Sequence, residues 1–206
     1  MNFNSREINS VKLFTFTEEQ KKQVFKVYDR LCEIYNASVI DIKDSPLFQF
    51  KPIVENYNFT PQICYLVKSE NSSFYLYIVI RIVHYKRKHN VKTEEFLEVW
   101  GIKELDENFG DILIRKETFS DKITELFKSF DIDFDEDPQF SKTFYVLGEN
   151  EIEIRTFLTQ SRRQLLGSFP DKDFQLEIKN NILSFGLPKK LSIPRVLQIS
   201  KFLKDI

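Results

Sequence analysis

The stretch 74–85, FYLYIVIRIVHY, limits the possible folds of this chain more than any other part. Aromatic and β-branched residues fill it after the turn-forming Glu70-Asn71-Ser72-Ser73, and such a run packs best as a long strand. Strand alternation puts Phe74, Leu76, Ile78, Ile80 and Ile82 on one side and Tyr75, Tyr77, Val79, Arg81, Val83 and Tyr85 on the other. The first side is predicted to face a core and the second to be amphipathic. A strand over 63–67 precedes it and forms the other arm of a hairpin. Beyond Lys86-Arg87-Lys88-His89-Asn90, residues 91–100 carry Glu94 and Glu95, which favour helix, but their position after a long strand favours an antiparallel return, and strand is the reading adopted.

Helical spacing governs the flanks. Thr17 and Gln20 form a capping-box pattern, and Val24, Val27, Tyr28, Leu31, Ile34 and Tyr35 then recur on one face, which predicts a helix over 17–36. Residues 39–60, punctuated by Pro46 and Pro52 and followed by Pro61, read as edge strands or loop. Residues 111–115 suggest a short strand, and Thr118 caps a helix carrying Phe119, Ile123, Leu126, Phe127 and Phe130. An acidic connector leads to a strand over 143–147. Asn150 and Glu153 then open a helix, with Ile154, Phe157, Leu158 and Leu165 on its inner face, that stops at Gly167. Phe174, Leu176 and Ile178 alternate up to Asn180-Asn181, and Leu183, Phe185 and Leu187 resume the alternation, so a hairpin is expected. Ser192 and Pro194 start a terminal helix. The order predicts an α+β fold, a mainly antiparallel sheet with about four helices packed on it. One globular domain over 1–206 is expected, with a division into 1–110 and 111–206 as the alternative.

Composition supports burial and excludes little else. Of 206 residues, 42% are hydrophobic, with 21 Phe and 8 Tyr, enough apolar surface to offset chain entropy. Thirty basic residues against 31 acidic ones leave a net charge of -1, so nucleic acid or an anionic membrane could be met only through a local patch. The start, MNFNSREINSVKLF, lacks a secretory pattern, and no apolar run approaches the roughly 20 residues of a membrane-spanning helix. A cytoplasmic location without an integral membrane segment is expected, with Cys32 and Cys64 as reduced thiols.

Few residue patterns point to chemistry. Five glycines supply no nucleotide-binding loop and no serine-hydrolase elbow. In the run 131–137, DIDFDED, Glu136 stands where a calcium loop needs Gly and Lys142 where it needs Glu, so a solvated acidic connector or short edge strand is the better reading. Asp171, Glu177 and Lys179 form an acidic-acidic-lysine set of the kind nucleases use, but their spacing suits the polar face of a hairpin better. His84 and His89 match no metal motif. Arg81, Lys86, Arg87, Lys88 and Lys92 gather at one hairpin tip, with Tyr75, Tyr77 and Tyr85 on the face leading to it. Basic groups neutralise phosphates and aromatic rings stack bases, so these eight residues are the candidate binding set, with single-stranded nucleic acid as one ligand class. No cofactor, metal or catalytic set is implied. The leading expectation is a non-catalytic domain that binds a protein partner through a sheet edge or the tyrosine face. An enzyme assembled from sequence-distant residues, with Tyr75, Tyr77, Arg81 and His84 first among them, is the competing class.

The stretch 131–166, DIDFDEDPQFSKTFYVLGENEIEIRTFLTQSRRQLL, resembles an uncharacterised bacterial family with an F-s-x-x-Y/F-x-V-x-G-x-x-E/D pattern followed by a helix. Phe140, Ser141, Phe144, Val146, Gly148 and Glu151 fill those places, and the likeness spans roughly 74–187. It implies an arrangement of strands and helices. It implies no reaction, cofactor or substrate, although members of the family often sit beside membrane helices.

Overall fold

The structure is a computed structural model that describes residues 13, 15–48, 59–70, 72–87, 90–116 and 130–206. Within them the long strand and its neighbours build one antiparallel sheet. Its members are β1 (Asn36–Ile40), β2 (Phe59–Ser69), β3 (Ser72–Arg87), β4 (Asn90–Glu104), β5 (Asp111–Lys116), β6 (Phe130–Asp131), β7 (Phe144–Gly148), β8 (Gln175–Lys179) and β9 (Ile182–Gly186). They lie in the order β1-β2-β3-β4-β9-β8-β5-β7-β6. The two-residue β6 only trims one edge, so eight strands carry the sheet. Five helices are described: α1 (Glu18–Ile34), α2 (Pro138–Thr143), α3 (Glu151–Phe157), α4 (Gln160–Ser168) and α5 (Ile193–Asp205). The fold class is α+β.

β4 and β9 join the two halves. Trp100 pairs with Gly186 and Gly101 with Phe185, so the strands of 36–104 and those of 111–186 belong to one sheet. Both glycines are needed there. A methyl group on Gly101 would overlap Leu203 of α5, and one on Gly186 would overlap the Trp100 indole. The absent side chains let a helix close on one side of the seam and a tryptophan lie flat on the other.

The main core fills one side of the sheet beneath α1 and α5. Leu31, Phe74, Leu76, Ile78, Phe185 and Phe202 are fully or almost fully buried in it, each burial contributing about 1.5–3 kcal/mol. Phe144, Phe174, Phe185 and Phe202 form a continuous run of rings, with successive centroids 5.2, 5.0 and 4.0 Å apart. The inner side of β3 is read correctly for Phe74, Leu76 and Ile78, but Ile82 is 41% exposed, because β3 extends past the helical cover.

α1 begins as predicted. Thr17 accepts from the Gln20 amide at 3.2 Å while Gln20 Oε1 accepts from the Thr17 amide at 2.8 Å. It ends two residues short of the expected Asn36, since Tyr35 is extended and Asn36 already pairs with β2. β2 is longer than the expected 63–67, and its register shifts between Pro61 and Ile63, where proline has no amide to donate. Residues 91–100 lie within a strand, as adopted. The expected helix from Asn150 to Gly167 is two helices: Leu158 leaves helical geometry and Thr159 caps α4 by accepting from the Arg162 amide at 3.4 Å. α2 was not expected, although Asp137-Pro138 carries an N-cap and an N1 proline. Asn180, in the β8–β9 turn, has φ of 56°, a conformation asparagine tolerates. The helix expected after Thr118 falls mostly in residues 117–129, outside the described residues. Among the described residues no helix is long and apolar enough to cross a membrane.

Candidate functional site

The tyrosine side of β3 differs from its amphipathic expectation. Tyr77 is only 1% exposed and lies with Cys64, Val79, Trp100 and Ile102 in a second, smaller core. Two 3-10 turns, Ile42–Asp44 and Pro46–Phe48, follow β1, and Ile42 and Leu47 pack on this cluster. The Leu47 amide donates to the Tyr77 hydroxyl at 3.4 Å, and burial pushes that phenol above its ordinary pKa. Its ring therefore has no free face on which a base could stack. Tyr75 is half-buried, and the Arg81 guanidinium donates to Glu98 Oε1 at 3.2 Å and to the Pro188 carbonyl at 3.4 Å. Tyr85, Lys86 and Arg87 lie on β3 and Lys92 on β4, but their side chains, with that of His84, are outside the described residues, as is Lys88.

The same side of the sheet continues as a buried polar row. The Trp100 indole donates to Glu98 Oε2 at 3.4 Å. Further along, Gln175 donates to Glu177, and the Arg115 guanidinium lies 5.5 Å from the centre of the Tyr145 ring. Glu98, Arg115, Gln175, Glu177 and Ser184 are all buried. Glu177 lies on the polar face of the β8–β9 hairpin, as expected, but that face is buried at this position. The other members of the nuclease-like set have partners of their own: Asp171 accepts from Lys189 at 2.5 Å, and Lys179 lies 3.9 Å from Asp111. Ile132 and Phe134 of the acidic run are buried, although the edge strand there, β6, covers only Phe130–Asp131, and Asp137 accepts from the Phe140 amide to cap α2. No group of three or more His, Cys, Asp or Glu among the described residues is arranged to hold a metal ion.

β1 is the surface with the least structural explanation. Its sequence, Asn36-Ala37-Ser38-Val39-Ile40, pairs with Lys68 to Cys64 of β2, and among the described residues no strand pairs with its other side. Edge strands are ordinarily guarded by charge, proline or a bulge. None of these three occurs within β1, which among the described residues is protected only by its five-residue length and by the contact of Cys32 with Ala37. Ala37 and Val39 lean on the main core and Ile40 on the smaller one, while Asn36 and Ser38 are exposed. The Cys32 thiol, on the last turn of α1, donates to the Ala37 carbonyl at 3.7 Å. In an antiparallel strand the amide and carbonyl of one residue point the same way, and those of its neighbours point the opposite way. The thiol contact therefore places the polar groups of Ala37, and of Val39 two residues on, on the side away from β2.

At the start of β1 the edge opens into a groove of about 860 Å³ lined by residues including Ile34, Tyr35, Lys68, Glu70 and Lys204. Ile34 is 45% exposed there. Glu33, also on the groove, is held at 2.5 Å by Arg30, whereas Lys68 and Lys204 are in no ion pair among the described residues. The sequence reading left 39–60 open between edge strands and loop, and it missed the start of this strand at Asn36 because five uncharged residues without clear alternation follow directly on a helix. Comparison with protein-family models, curated proteins and solved structures finds no match to the chain.

Proposed function

We propose that this chain is a protein-interaction domain that takes an extended segment of a protein partner as an added strand on β1. The observation that carries the reading is that, among the described residues, no strand covers the outer side of β1, which presents the amides of Ala37 and Val39 and the Val39 carbonyl beside a groove with an exposed isoleucine. Main-chain hydrogen bonds supply affinity in strand addition, and pockets for alternate side chains supply selectivity. The buried pairings of Arg81 with Glu98 and of Gln175 with Glu177 have a sufficient role in ordering the sheet.

The test is partner capture with cross-linking in cells of the native host, comparing the wild-type chain with Val39→Pro. Proline removes the outward amide of Val39 without adding charge, and circular dichroism checks that the variant remains folded. Cross-links from residues 36–40 to an extended partner segment, lost in V39P, are expected. Cross-links that arise elsewhere, or that survive V39P in a folded protein, would refute strand addition at this edge.

A further inference from the structure

We draw no further inference here: the strongest candidate, the cavity of about 330 Å³ at the end of β4 that the half-buried Lys103 and Arg162 line, carries nothing, because these cations already donate to the Leu203 and Phe157 carbonyls at 2.9 and 3.1 Å and are outnumbered on the same lining by Glu104, Asp106 and Glu107, so that no class of ligand is selected.

Discussion

Glu98 shows how a single buried charge colours this fold. Its side chain is 2% exposed, and burial holds its carboxyl above the usual value of 4.5 despite the opposing pull of Arg81 and Trp100. A carboxyl whose folded pKa is raised favours folding in its protonated form. That contribution is complete below pH 4.5 and disappears as pH rises through the folded value. Glu98→Gln keeps the shape and removes the titration. Urea unfolding across pH 4–8 should therefore show the stability of E98Q gaining on wild type as pH rises and then levelling off. A difference independent of pH would mean that the carboxyl is not perturbed by its surroundings.

Arg163 links two elements that the sequence treats separately. It is 6% exposed on α4, donates to the Leu158 carbonyl at 2.7 Å and lies 3.3 Å from Asp137 and 3.2 Å from Glu136, over the Phe134 ring. Arg163→Met retains bulk but strips donors from Leu158 and Asp137, which predicts a loss of about 1–3 kcal/mol in denaturant unfolding. A neutral substitution would show that the acidic loop is held by Phe134 and Ile132 alone. Legibility at this scale follows the physics. Caps and alternation are local, so the start of α1, the β2–β3 and β8–β9 hairpins and the start of α3 could be read directly. β1 is fixed by long-range pairing with β2, which no local pattern announces. The break at Thr159 had a visible signal, a good capping residue inside an apparent helix, but the apolar spacing around it masked the break. Glu177 and Tyr77 could not be placed because a polar or amphipathic strand face reads alike whether water or protein covers it.

For the whole molecule, the decisive feature is the seam at β4 and β9. Trp100, the only tryptophan, sits on it, packed over Gly186. Because one sheet and one main core run across this seam, the parts on either side should unfold together. Tryptophan fluorescence and far-ultraviolet circular dichroism should give coincident urea transitions, whereas midpoints separated beyond error would indicate two independently folding halves. The same continuity leaves β1 as an edge supported from behind by a wide sheet, a rigid template for an incoming strand.

Residue-resolved amide exchange on the dilute protein tests that template most directly. The Ala37 and Val39 amides should exchange freely, while those of Ser38 and Ile40, turned toward β2, are protected. Protection of all four in a monomer would mean that the edge is already covered, and strand addition at β1 would have to be abandoned.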